Sequence, residues 1–191
     1  MQVENAAAGA ERFTSNAWLV DGTVLVDAGS DPAVLEAVDA GLDTVLVTHS
    51  HHDHIENLPV LVDRFDVDVH AFAPENLPVA AQGLADGDTV ASGDDRFDVV
   101  HTPGHRDDHV CFHVADHAVL FAGDLVFPGG EFGRTDLEQG DRDRLISSIE
   151  TIARLDIDRL YAGHGDAATE DVADRVQDSL AAARDREPKY G

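Results

Sequence analysis

The sequence predicts an α+β protein in which sheet packs on sheet and helices flank the outside. Three observations carry this expectation. Hydrophobic residues make up 43% of the 191 residues, enough for a chain of this length to bury a sizeable core. Short apolar runs of strand character follow one another in several places, where a wound parallel sheet would alternate strictly with helices. Two amphipathic runs stand near the C-terminal end, and the length suits one domain over residues 1–191.

In chain order, "AWLVDGTVLVD" (17–27) places two apolar runs around an Asp-Gly pair, a hairpin signal. "SDPAVLEAVDAG" then reads as a helix, with Ser30 or Asp31 at its cap, Pro32 at its first position and Gly41 closing it. "LDTVLVTHS" is a short apolar strand ending at a cluster of histidines, and "VDVHAFAPE" is another strand, followed by an irregular stretch through "GLADGDTV". "RFDVVHTPGH" and "DRLYAGHG" each read as a strand, and "DHVCFHVADHAVLFAGD" as a pair. A helix from near Asp141 carries Leu145, Ile149 and Ile152 on one face; a second, after Thr169, carries Val172, Val176 and Leu180. The tail "RDREPKYG" is expected to fray.

Composition removes several function classes. Asp and Glu number 38 against 13 Lys and Arg, a formal net charge of -25, and Lys189 is the only lysine. Such a field repels nucleic acid and anionic membranes, so neither is an expected partner. Acid spread along the whole chain points to work in concentrated salt, where a Debye length of about 3 Å at 1 M screens the self-repulsion. No apolar run approaches the roughly 20 residues of a membrane span, and "MQVENAAAGAERF" lacks the basic start of a secretion signal. A cytoplasmic protein is therefore expected. The lone cysteine, Cys111, falls in the strand-like "HVCFHV", where a buried small hydrophobe is the expected role.

The chemistry gathers where apolar strands stop: "VLVTHSHHDH", "DVVHTPGH", "VLFAGD" and "RLYAGHG". Side chains just past a strand end can converge from distant parts of the chain while the sheet fixes their positions. His49, His51 and His54 offer imidazoles and Asp53 a carboxylate, donors that suit zinc, iron or manganese; without thiolates a closed structural zinc site is disfavoured. Packing these four groups together without a metal would cost repulsion or unsatisfied polar atoms. His70, His101, His113 and His117 read instead as solvated or hydrogen-bonded strand residues, and His52 should point away from the cluster.

"HSHHDH" matches the His-x-His-x-Asp-His signature of the metallo-β-lactamase superfamily, and "TPGH", "FAGD" and "AGHG" are similar to its later metal-binding motifs, in the same order. The resemblance runs from about Asn16 to Gly165. It implies a four-layer αββα sandwich and two divalent metal ions, zinc foremost, with iron or manganese as alternatives. One ion would be held by His49, His51 and His105, the other by Asp53, His54 and His164, with Asp124 bridging. It further implies a hydroxide between the metals as nucleophile, oriented by Asp53. Asp27 in "VDAG" reads either as a support for the metal loop or as a turn-forming residue before Gly29.

The segment "GDLVFPGGEFGRTDLEQGD" resembles the short glyoxalase II-like hydrolases, which cleave small-molecule thioesters such as hydroxyacyl-glutathione. Similar "GRTD" wording occurs in persulfide dioxygenases, which hold one iron; that is the alternative function, and "YAGHG" favours the hydrolase. Only 27 residues follow His164, so the C-terminal helical substrate domain of full-length glyoxalase II is not expected. Arg134 is the candidate contact for an anionic substrate group through its bidentate fork, with a salt bridge to an acidic neighbour as the competing reading. A purely structural metal module is disfavoured because seven donors exceed the four that such sites use. Nucleic-acid cleavage conflicts with the charge.

Overall fold

The computed structural model describes residues 1–185. They form two compact units, one of Met1–Ala85 with Ala91–Asp95, the other of Asp86–Val90 with the chain from Arg96 onward.

The first unit is built on a six-stranded sheet in sequence order: β1 (Val3–Asn5), β2 (Trp18–Val20), β3 (Val24–Val26), β4 (Thr44–Leu46), β5 (Asp68–Ala71) and β6 (Gln82–Gly83). The β2–β3 hairpin turns through Asp21–Thr23, where Thr23 N–H donates back to Val20 O and Asp21 and Gly22 both take positive φ (47° and 74°), a backbone the Asp-Gly pair supplies readily. From β3 onward neighbouring strands are parallel, with Val26 opposite Leu46. The C-terminal ends of β3 and β4 therefore lie side by side, and the residues that follow them emerge at one edge.

Helix α1 (Ala33–Ala37) is shorter than the sequence predicts. Its N-cap is Pro32, with no side-chain cap bond; Asp31, one residue earlier, braces the entry to the helix, its Oδ1 accepting from the Ala33 N–H at 2.9 Å. The helix stops because Asp39 offers a local alternative: its carboxylate accepts from Gly41 N–H and its carbonyl from Leu42 N–H. That turn buries both Val38 and Leu42. Two further helices, α2 (His52–Ile55) and α3 (Leu58–Phe65), fill a stretch for which the sequence predicts no helix. Pro59 sits in the first turn of α3, where its missing N–H costs nothing, and Leu58 and Leu61 bury completely with Leu25, Val45 and Val69.

The second unit carries a five-stranded sheet made of β7 (Thr89–Ser92), β8 (Asp95–His101), β9 (Val110–Val114), β10 (Val119–Gly123) and, after a two-stranded ladder of β11 (Val126–Phe127) with β12 (Glu131–Phe132), β13 (Arg159–Ala162). The order is β13-β10-β9-β8-β7, with β10 and β13 parallel and β8–β9–β10 antiparallel. β9 and β10 are buried at every position; all of their side chains are apolar except His113, which is satisfied by the Asp156 carbonyl. Helix α4 (Arg142–Ile152) is capped by Asp141, which accepts from Arg144 N–H at 3.0 Å, and buries Leu145, Ile149 and Ile152 as predicted. Helix α5 (Val172–Asp185) buries Val172, Val176 and Leu180 against the same core. It takes in Arg184 and Asp185, the start of the segment expected to fray; the rest of that segment, 186–191, lies outside the described residues. Among the described residues no helix is long and apolar enough to cross a membrane.

Candidate metal centre

In the first unit the donors sit just past the ends of β3 and β4. The loop after β3 is pinned: Asp27 N–H donates to Leu46 O, Ala28 N–H to His54 O, and Asn57 Nδ2 to the carbonyls of Ala28 and Asp31. Gly29 runs at φ 62°, where a Cβ would press on Thr14 and Val34, so only glycine lets this loop close over α1. Asp31 braces the same loop, and the N–H groups of Ala33, Arg12 and Glu11 hold its carboxyl below the ordinary value.

Asp27 organises the cluster. It is buried, and Oδ1 accepts the Thr48 N–H while Oδ2 accepts both the Thr48 hydroxyl and His54 Nδ1, each at 2.8 Å. The turn reading of Asp27 also holds, since it lies at φ 61°. With its proton committed to Asp27, the Thr48 oxygen accepts from His49 Nδ1, 3.1 Å away. Both imidazoles thus carry their proton on Nδ1, which leaves Nε2 as the lone-pair donor. His49 Nε2 lies 3.1 Å from His51 Nδ1, the His49 and His54 rings are 4.1 Å apart, and His54 Nε2 is 3.9 Å from Asp53 Oδ2. The unit therefore brings His49, His51, Asp53 and His54 together. His52 points outward beside Glu56, as expected.

In the second unit the "TPGH" loop is drawn against the start of α4. Ser148 Oγ donates to Pro103 O and Asp141 N–H to Gly104 O; a Cβ on Gly104 would overlap the Leu145 backbone. His105 Nδ1 donates to the Arg134 carbonyl at 2.8 Å, again turning Nε2 inward. Asp124 follows β10, and its Oδ2 lies 3.6 Å from His105 Nε2 and 3.6 Å from His164 Nε2. Donors bound at 2.0–2.1 Å to one tetrahedral ion sit about 3.4 Å apart, so each pair is at metal-sharing distance. Gly133 allows this: a Cβ there would overlap the Asp124 carbonyl.

Both donor sets fit a divalent metal by their chemistry, as neutral imidazoles held through the far nitrogen and carboxylates beside them. Elsewhere the plain readings hold: His101 and His113 donate to the carbonyls of Asp107 and Asp156. Burial lowers the pKa of His70. Cys111 is fully buried, which pushes its thiol up to about 12. The Arg134 guanidinium pairs bidentately with Asp136 at 2.9 and 2.8 Å, and that bond holds the Asp136 carboxyl below its ordinary value. Thr48 and His109, both fully buried and bonded to the donor loops, were not singled out by the sequence; neither belongs to a recognised motif position.

The chain is 38% identical over 157 residues to the hydroxyacylglutathione hydrolase of Aliivibrio fischeri (strain MJ11), covering 77% of this chain and 60% of that protein. It thus spans about 60% of that relative's length. A solved structure of TTHA1623 in a di-iron-bound form superposes with a TM-score of 0.70 at 29% identity, covering 92% of this chain and 95% of that one. The structure of ETHE1 from Myxococcus xanthus does so with a TM-score of 0.73 over 97% of this chain and 91% of that one; at 23% identity it shows the fold alone. The α+β architecture is accordingly the metallo-β-lactamase fold. A family model described as the metallo-beta-lactamase superfamily matches residues 10–164, and with it the chain is placed as a member of that superfamily.

Proposed function

We propose that this chain is a metal-dependent hydrolase that cleaves small-molecule thioesters, in the manner of its relatives named hydroxyacylglutathione hydrolase. The observation that carries the reading is the set of Nδ1-anchored imidazoles in both units, His49 and His54 through Thr48 and Asp27, His105 through Arg134 O. Following the family pattern, His49, His51 and His105 would hold one metal, Asp53, His54 and His164 the other, and Asp124 would bridge. Zinc suits these nitrogen and oxygen donors best, with iron or manganese as alternatives.

Bound metals would supply Lewis acidity and water that is deprotonated near neutral pH. The chain's own residues set the geometry. Asp27 and Thr48 fix the tautomers of His49 and His54, the Arg134 carbonyl fixes His105, and the Asp53 carboxylate would orient the nucleophile. Arg134 is the proposed contact for an anionic substrate group, which would take the place of Asp136 at the guanidinium. We further propose a cytoplasmic enzyme suited to concentrated salt, which the -25 net charge supports.

The test is hydrolysis of S-lactoylglutathione by metal-loaded protein, followed by thiol release. Cleavage that disappears in Asp53→Ala supports the reading. Absence of cleavage, together with oxygen uptake on a persulfide by protein holding one iron, would transfer the chain to the dioxygenases.

A further inference from the structure

Beyond the donors themselves, the second unit contains a buried chain of polar groups that ends on the backbone of Asp124. Asp124 stands one residue past β10, where the pairing with β13 becomes irregular between Phe121 and Gly123 and Gly123 turns into positive φ (47°). Its N–H leaves the sheet ladder and donates to His109 Nε2 at 3.0 Å. A ring nitrogen that accepts must be unprotonated, so the His109 proton sits on Nδ1, which faces Thr102 Oγ1 at 2.8 Å. The Thr102 hydroxyl then points to Cys111 Sγ at 3.4 Å, and the thiol to Ala122 O at 3.6 Å. Burial keeps that thiol protonated, so each member has one direction to donate in. His109 and Thr102 are both fully buried.

We propose that His109 is a positioning residue for the metal centre: by accepting the Asp124 N–H, it sets where the Asp124 carboxylate presents its oxygens between His105 and His164. The inference rests on the metal-centre reading above. The bridging donor has fixed points on either side of its Cα. On one, Gly163 N–H donates to Gly123 O at 2.7 Å and His109 accepts the Asp124 N–H; on the other, the Asp124 carbonyl lies against Gly133. Loss of the His109 acceptor leaves a buried N–H that the loop can satisfy only by turning, and turning carries the carboxylate with it.

Zinc affinity by competition with a chromophoric chelator, and the thermal midpoint of the metal-free protein, test this on the full chain. His109→Leu removes the acceptor, His109→Gln keeps one where Nε2 stood, and Thr102→Val removes the hydroxyl that orients the ring. The expected result is roughly 10- to 100-fold weaker zinc binding in His109→Leu, near-recovery in His109→Gln and an intermediate loss in Thr102→Val. A folded His109→Leu with wild-type zinc affinity overturns the proposal, as does His109→Gln binding as poorly as His109→Leu. If His109→Leu does not fold, wild-type affinity in Thr102→Val overturns it. Ile152→Val serves as a control for a lowered midpoint alone; zinc loss in that variant equal to that of His109→Leu would reduce His109 to a structural role. Wild-type protein that binds no zinc would instead overturn the metal-centre reading.

Discussion

Replacing Asp27 by Asn changes one oxygen to an amide nitrogen at nearly constant volume, and asparagine tolerates the same left-handed backbone. If the amide oxygen keeps the Thr48 N–H, the new NH2 faces the Thr48 hydroxyl and His54 Nδ1, both of which donate to the wild-type carboxylate. To restore bonding, His54 must move its proton to Nε2. Thr48 must likewise accept, sending its own proton to His49 Nδ1 and shifting the His49 proton to Nε2 as well. Both rings then present N–H where a metal needs a lone pair. Three bonds to a charged acceptor, worth about 1.5–3 kcal/mol each, become neutral ones worth about 0.5–1.5 kcal/mol, a loss of about 3–4.5 kcal/mol. At roughly 2–4 °C per kcal/mol for a chain of this size, the metal-free midpoint should fall by about 6–18 °C. Metal affinity should fall roughly 10- to 100-fold. Thermal denaturation of the metal-free protein and chelator competition read the two effects separately. Asp27→Asn that binds metal like the wild type, with unchanged stability, would refute the tautomer argument.

The remaining expectations follow from burial and charge. Cys111 should resist alkylation in the native protein at pH 8 and react only after unfolding, since burial pushes its thiol up to about 12; rapid labelling of native protein would contradict its placement. His70 has its pKa lowered from 6.5, chiefly by burial, so below 6.5 the unfolded chain takes up that proton more readily. Its contribution to stability is therefore fully present above that pH and is lost as pH falls toward the folded value. His70→Gln should flatten the wild-type fall in urea midpoint between pH 6.5 and the acid limb, and an unchanged slope would sink the assignment. With a net charge of -25, the protein should gain stability on moving from dilute buffer to molar salt; equal midpoints in both would remove the argument for a saline habitat.

Much of this was legible in the sequence because the signals were local. The Asp21-Gly22 turn, the Asp141 cap and the 3.6-residue spacing of Leu145, Ile149 and Ile152 each act within a few residues. The four motifs mark strand ends, and the structure places their donors there. Helix α3 was hidden because Pro59 reads as a breaker, although in a first turn it is harmless. The early end of α1 depended on Asp39 bonding to its own backbone neighbours, a competition that apolar spacing does not register. The supporting groups were the least visible. Thr48 resembles any strand-terminal threonine until its hydroxyl is seen between Asp27 and His49, and His109 gains its meaning only from the Asp124 N–H, fifteen residues away.

The central claim is a two-metal centre bridged by Asp124, and metal content per chain tests it most directly. Elemental analysis of protein purified in high salt without added metal should find two divalent ions per wild-type chain. Asp124→Ala should lower the occupancy of both, while His70→Ala should leave both in place. One ion per wild-type chain, or unchanged content in Asp124→Ala, would contradict the account.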